Sequence, residues 1–173
     1  MDRISVYSKR LREHVAKSER NPQAAQLSLA AIDSFEKVMI SRQLLDGDLS
    51  KMLSAARSRH LGPYYIGTEL LLTMLSEFPQ ITDIWRDLAI SKLAHERWVA
   101  ISVIRDDRIP FDLAKELIQR AINDKSAKVR LFAVEGVLVR NILSLIPDLE
   151  KRAKAENNRK VFQSLEWVLS KLK

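Results

Sequence analysis

The chain contains no cysteine, and its 173 residues include only four glycines and five prolines. Without cysteine there are no disulfide bonds and no thiolate metal sites. So few glycines and prolines leave little to interrupt helices, and no segment alternates apolar and polar residues for long enough to predict a sheet. The sequence therefore predicts an all-α protein.

Long apolar runs are also missing. No stretch approaches the roughly 20 apolar residues that a membrane span needs. Residues 1–20 lack the apolar core of a secretory signal, and Asp2, Glu13 and Glu19 argue against an organellar transit peptide. We therefore expect a cytoplasmic protein with no membrane partner.

The positive charge of the chain is unevenly distributed. The formal net charge is +7, made up of +4 over residues 1–60, −2 over residues 61–125 and +5 over residues 126–173. Basic ends suit an acidic partner, either protein or nucleic acid. A surface made soluble by lysine and arginine explains the excess equally well.

Local signals predict three helices in the first part of the chain. Asn21-Pro22 predicts the start of a helix that runs to about Leu45, and residues 46–48 predict its end, with Asp48 as the cap of the next helix. A short helix, Leu49–Arg59, follows and is broken at residues 61–63. Before these lies a basic first helix whose apolar stripe consists of Ile4, Tyr7, Leu11 and Val15.

An internal repeat organises the remainder of the chain. Residues 94–101 align with residues 127–134 at an offset of 33, and a third copy follows at an offset of 32. This period is typical of helical solenoids, whose units are usually pairs of antiparallel helices. In the best copy the predicted helices are Ser126–Arg140 and Leu143–Glu156.

The best copy resembles the HEAT-repeat family. Units of that family often show an acidic residue, then Val-Arg-x-x-Ala, then a second helix that opens near Ile-Pro-x-Leu. Asp124, Val129-Arg130, Ala133 and residues 146–149 match this pattern. The preceding unit keeps Arg97 and Ala100, whereas the last unit has Phe162 where the arginine would lie.

The resemblance implies an all-α fold in which a HEAT-like solenoid covers residues 63–173 and residues 1–62 form an N-terminal helical cap, in one continuous domain. It implies a structural role for Arg97 and Arg130, each paired with an acidic group such as Asp124 or one of a neighbouring unit. It also implies that Ala100 and Ala133 are buried between helices. For the three tryptophans, Trp85, Trp98 and Trp167, we expect core packing.

The second helices of such units line a concave face, where partners usually dock. The candidate binding residues on those helices are Trp85, Arg86, Lys115, Arg120, Lys151 and Arg152. A row of cations would suit phosphates. Acidic residues are interleaved with them, however, and a mixed-charge surface for a protein partner fits at least as well. These acidic residues are Asp83, Asp87, Glu116, Asp148 and Glu150.

Catalysis has little support in the sequence. His14, His60 and His95 are far apart, with no spacing that suggests a metal. There is no glycine-rich phosphate loop and no nucleophile elbow, so we predict no catalytic residue, no cofactor and no metal. Two enzyme families, alkyl-base DNA glycosylases and bilin lyases, do use HEAT-like arrays. Trp85, Asp87 and Arg120 could imitate the tryptophan, aspartate and arginine of the glycosylase site.

Binding through a large, shallow surface needs no special chemistry, which fits a sequence without catalytic motifs. We therefore expect a non-catalytic adaptor that docks a protein partner, as a scaffold, regulator or inhibitor of the immunity kind. The alternative is a nucleic-acid-binding HEAT-like protein, including a relative of the alkyl-base DNA glycosylases.

Overall fold

The computed structural model describes residues 3–172, and every regular element in that range is helical. The all-α prediction is confirmed. Short 3-10 turns at residues 103–105 and 143–145 supplement ten α-helices in the described range. These are α1 (Arg3–Ser18), α2 (Pro22–Ser41), α3 (Asp46–Ala56), α4 (Leu61–Met74), α5 (Ile81–Ile90), α6 (Ala94–Ser102), α7 (Phe111–Ala121), α8 (Ala127–Val139), α9 (Ile146–Ala155) and α10 (Arg159–Leu172).

The described residues form two compact units that divide between Ile81 and Thr82. In the first unit, α2 packs against α1, α3 and α4. In the second unit, α8 packs against α6, α7 and α10, and α9 packs against α10. The repeat predicted over residues 63–173 would include most of α4, but the contacts of α4 place it with α2 and α3.

The start of α2 agrees with its sequence signal, whereas its end does not. The Asn21 side chain accepts hydrogen bonds from the backbone N–H groups of Gln23 and Ala24, and Pro22 follows at the first helical position. The helix ends at Ser41 because Arg42 adopts a left-handed backbone conformation with φ of 57°. The predicted end near Leu45 is therefore too late.

Residues 46–48 are the first residues of α3, so this helix begins before the predicted cap, Asp48. Asp46 and Asp48 lie in the first turn of α3, where carboxylates interact favourably with the positive end of the helix dipole. Asp48 is buried, and its carboxylate lies 2.7 Å from Lys37 Nζ on α2. The hydrogen bond from Lys37 lowers the pKa of Asp48. The prediction of a break at residues 61–63 is also wrong, because α4 starts at Leu61 and holds Pro63 in its first turn.

The core of the first unit is closed by a tight crossing of α3 and α4. Ile32, Phe35, Met52 and Leu70 are all fully buried in this unit. Gly67 of α4 faces the backbone of residues 55–56 in α3 so closely that a Cβ atom at this position would overlap backbone atoms. A side chain at position 67 would therefore push the two helices apart.

The second unit reproduces the predicted helix boundaries closely. The predicted helix Ser126–Arg140 is observed as α8, Ala127–Val139. The predicted helix Leu143–Glu156 is observed as a 3-10 turn that continues into α9, with a proline in the first turn of α9. Ala100 and Ala133 are 1% and 0% exposed, which confirms their predicted burial.

The three tryptophans have different environments. Trp85 is fully buried, as expected for a core residue. Trp98 is half-buried, and the ammonium group of Lys128 lies 3.5 Å from the centre of its ring. Trp167 is 52% exposed on α10, so its predicted core position is wrong. The apolar positions that α10 buries are Val161, Leu165 and Val168.

Candidate functional site

Arg97 joins the loop between α5 and α6 to the loop between α7 and α8. Its Nε and Nη2 atoms donate to the two carboxylate oxygens of Asp124 at 2.6 and 2.9 Å. Its Nη1 atom donates to the backbone oxygens of Ser91 and Lys92 at 2.8 and 3.1 Å. One guanidinium therefore holds the loop before α6 to the loop before α8, in the bidentate geometry that arginine forms with carboxylates.

Arg130 of α8 repeats this arrangement one repeat unit later. Its Nε and Nη2 atoms each lie 2.7 Å from a carboxylate oxygen of Glu156, and its Nη1 atom donates to the backbone oxygens of Asp124 and Lys125 at 2.8 and 3.1 Å. The predicted acidic partners of Arg97 and Arg130 are therefore confirmed. Asp124 offers Arg130 only its carbonyl, and the carboxylate comes from Glu156. We refer to Arg97 with Asp124, and to Arg130 with Glu156, as the two arginine bridges.

The same side-chain oxygens also shape the loops in which they lie. Asp124 Oδ1 accepts from Ser126 N–H at 2.7 Å, and Glu156 Oε1 accepts from Asn158 N–H at 2.8 Å. Ser91 Oγ plays this part in the first loop by accepting from Leu93 N–H. In each loop a side-chain oxygen accepts a hydrogen bond from the backbone N–H two residues later. The three accepting residues occupy equivalent points of the repeat.

Glu156 is the most deeply buried acid of these bridges, with 0% of its side chain exposed. Burial alone would raise its pKa, but hydrogen bonds from Arg130, Arg152 and the Asn158 N–H outweigh burial and lower the pKa of Glu156 from 4.5 to about 2. Burial would also raise the pKa of Asp124, but the hydrogen bonds from Arg97 and the Ser126 N–H, together with the charges of Arg97 and Arg130, lower it.

Because the folded-state pKa of Glu156 lies below its unfolded value of 4.5, the contribution of this group to stability is complete above about pH 4.5 and is lost as the pH falls through about 2. We expect the urea midpoint of unfolding to fall across this range. In Glu156→Gln the midpoint should start lower at neutral pH and fall less steeply, with a residual slope from Asp48, Asp106 and Asp124. Equal acid slopes in both proteins would contradict this assignment.

Of the predicted binding residues, one is buried and another is held in an ion pair within the protein. Trp85 is fully buried, which excludes its side chain from a surface contact in this structure. Arg152 donates to Glu156 at 2.9 Å and supports the second arginine bridge. Arg152 therefore has a structural bond in addition to the binding role predicted for it.

The other predicted binding residues lie at least partly at the surface, in a setting of mixed charge. Arg86 is bound to Asp83 at 2.8 Å and to Glu116 on α7 at 3.0 Å, and these bonds raise its pKa. Lys115 is half-buried, whereas Arg120 and Lys151 are exposed. The structure therefore joins α5 to α7 through Arg86, and of the predicted cations it engages Arg86 and Arg152 in ion pairs.

A shallow groove of about 540 Å³ lies between α9 and α10. Its lining combines apolar and charged side chains, namely Glu150, Ala153, Lys154, Phe162, Glu166 and Leu169. Phe162 is 37% exposed. This groove was not predicted, and the only sequence signal for it is Phe162, which departs from the arginine of the repeat pattern.

Within residues 3–172 there is no group of three or more histidine, aspartate or glutamate side chains placed to hold a metal ion. No described helix has both the length and the apolar character needed to cross a bilayer. The features that remain as candidate sites are the loops joined by the arginine bridges and the groove between α9 and α10.

Comparison of the chain with protein-family models, with curated proteins and with solved structures finds no significant match.

Proposed function

We propose that this chain is a non-catalytic binding protein in which a helical-repeat array of the HEAT type docks a protein partner. The two arginine bridges support the repeat, because Arg97 and Arg130 make equivalent bonds at a separation of 33 residues. The packing of α8 on α6, and of α10 on α8, also supports it. The binding surface on which the proposal depends is the groove between α9 and α10.

The single observation that carries the proposal is the exposure of apolar side chains in this groove. Phe162 and Leu169 of α10 and Ala153 of α9 line it, with Glu150 and Lys154 on the α9 side. An apolar strip bordered by charges of both signs is typical of a surface that buries a protein segment. Phosphate binding would instead require an excess of positive charge.

The neighbouring helices indicate what kind of segment fits. Phe162 lies in α10 at the repeat position that Arg97 and Arg130 occupy in α6 and α8, where each arginine bonds to the next loop. In each repeat unit the first helix packs against the first helix of the following unit: α6 packs against α8, and α8 packs against α10. We therefore assign the groove to an amphipathic helix of a partner protein, with apolar residues at i, i+3 or i+4 and i+7.

The charged residues of the second helices of the repeat units, α5, α7 and α9, also favour a protein partner. Arg86 is committed to Asp83 and Glu116, and Arg152 is committed to Glu156. These two arginines are therefore less free to bind a phosphate backbone, whereas paired charges of both signs can complement a protein surface of mixed charge.

The test is affinity capture with the full chain and with Phe162→Asp. The dissociation constant of the captured protein is then measured for each of the two purified chains. We expect one defined protein to be retained by the original chain, and its affinity to fall at least tenfold for Phe162→Asp, because an aspartate in the groove would be desolvated without a partner. Gln163→Asp is the matched control, since Gln163 is the next residue of α10, is exposed, and does not line the groove.

Three results would contradict the proposal. Equal affinity of the purified partner for the original chain and for Phe162→Asp would remove the groove as the docking site. An equal loss of affinity for Gln163→Asp would show that the added negative charge weakens binding even outside the groove. Self-association of the purified chain, abolished by Phe162→Asp, would identify a second copy of the chain as the occupant.

A further inference from the structure

The arginine bridges place three loops side by side. Arg97 joins the loop at residues 91–93 to the loop at residues 124–126, and Arg130 joins the latter to the loop at residues 156–158. The loops precede α6, α8 and α10, so the first turns of these three helices lie along one edge of the second unit.

A polar groove of about 430 Å³ separates the first two loops. Ser91, Lys92, Arg97, Asn123, Asp124 and Lys125 line it. Arg97 and Asp124 neutralise each other within it, which leaves Lys92 and Lys125 as its uncompensated charges. All six lining residues are polar or charged, in contrast to the groove between α9 and α10.

Further cations continue this edge along α8 and α10. We call the whole set the basic edge, and its members are Lys92, Lys125, Lys128, Arg159 and Lys160. All five are exposed, and none of them forms an ion pair within residues 3–172. Lys128 and Lys160 occupy equivalent positions of the repeat, as do Lys92 and Lys125. The face of Trp98 positions the ammonium of Lys128.

The acids at this edge are held by groups of the protein itself. Asp124 is bound by Arg97 and by a backbone N–H, and Glu156 is bound by two arginines. Glu96 accepts a hydrogen bond from Ser91 Oγ. The basic edge therefore presents an excess of positive charge in a polar setting.

We infer that the basic edge binds the phosphate backbone of a nucleic acid. Several exposed cations that release counterions on binding are sufficient for such contact, and no apolar anchor is required. A protein partner would instead be expected to find an apolar centre, which the lining of this groove does not provide. The inference is independent of the proposed function, because its residues lie outside the groove between α9 and α10.

The experiment measures binding of the full chain to a short fluorescein-labelled single strand of mixed sequence by anisotropy, over roughly 50–200 mM salt. If all five cations neutralise phosphates, the logarithm of the association constant should fall with the logarithm of the salt concentration with a slope of about −3.5. In the triple variant Lys92→Glu, Lys125→Glu, Lys160→Glu the slope should flatten to about −1.4, with loss of affinity at the lowest salt.

The matched control is Lys115→Glu, Arg120→Glu, Lys151→Glu, which reverses three cations of the second helices. It changes the net charge equally and should leave the slope near that of the original chain. Thermal unfolding of both variants checks that they fold. These six lysine and arginine side chains make no ion pair in the described residues, so their reversal should cost little stability.

Several outcomes would overturn the inference. These are a slope unchanged by the triple variant, an equal flattening in the control, or no binding at the lowest salt. An acidic peptide of matched charge that binds as tightly, with the same loss in the triple variant, would identify an acidic protein segment as the partner.

Discussion

Replacing Arg130 with methionine is expected to lower the free energy of unfolding by about 3–5 kcal/mol. The Glu156 carboxylate, whose side chain is 0% exposed, would keep only Arg152 and a backbone N–H as donors. The backbone oxygens of Asp124 and Lys125 would also lose their shared donor. Urea unfolding followed by circular dichroism measures the change.

Arg86→Met is the control for Arg130→Met. Arg86 forms two ion pairs, but its side chain is 44% exposed, so its removal should change the free energy of unfolding by about 0–1 kcal/mol. Any Arg130→Met protein that remains folded should bind its partner normally. Full stability together with lost binding would show that Arg130 contacts the partner and is not a structural residue.

Gly67→Ala should destabilise the first unit by about 3 kcal/mol, although alanine is the better helix former. The added Cβ would overlap the backbone of Ala55 and Ala56, and a backbone in the middle of a packed helix cannot move aside as a flexible side chain can. The thermal midpoint and the urea midpoint should both fall.

Gly47→Ala is the matched control for this substitution. Gly47 lies in α3, and a Cβ at this position would have no atom within 4 Å. The change should stabilise the protein by about 0.5–1 kcal/mol through the lower flexibility of the unfolded chain. If Gly67→Ala raised the stability in the same way, this result would contradict the close approach of α3 and α4 at Gly67.

The features predicted correctly from the sequence are those whose signals are local or periodic. The boundaries of α8 follow from its apolar positions, and the start of α2 follows from Asn21 and Pro22. The burial of Ala133 and the acidic partner of Arg130 were expected from the resemblance of this unit to HEAT repeats.

The errors arise where a distant contact decides the local structure. Residues 46–48 have the composition of a turn, but the ion pair between Asp48 and Lys37 joins them to α2, and the first turn of α3 accommodates the aspartates. Nothing in the local sequence reveals this pair. The left-handed conformation of Arg42 is equally hidden, because glycine or asparagine is the usual signal for it.

The candidate sites were predicted less well than the helices. Charge on the second helices was visible in the sequence, but the commitment of Arg152 to Glu156 depends on the turn that brings them within reach. Exposure of Phe162 and Trp167 could not be derived, since apolar residues at helical spacing predict a buried face. The basic edge depends on which lysines lack acidic neighbours, and this requires the packed loops.

Asp124 serves the two arginine bridges through different atoms, so the two bridges depend on different properties of this residue. Its carboxylate bonds to Arg97, so the identity of the side chain governs the attachment to the preceding loop. Its carbonyl bonds to Arg130, and any residue supplies a carbonyl. A substitution at position 124 therefore affects one attachment alone, whereas a single insertion or deletion in residues 122–126 would displace both. The length of this loop therefore governs both arginine bridges, whereas the identity of residue 124 governs directly only the bond to Arg97.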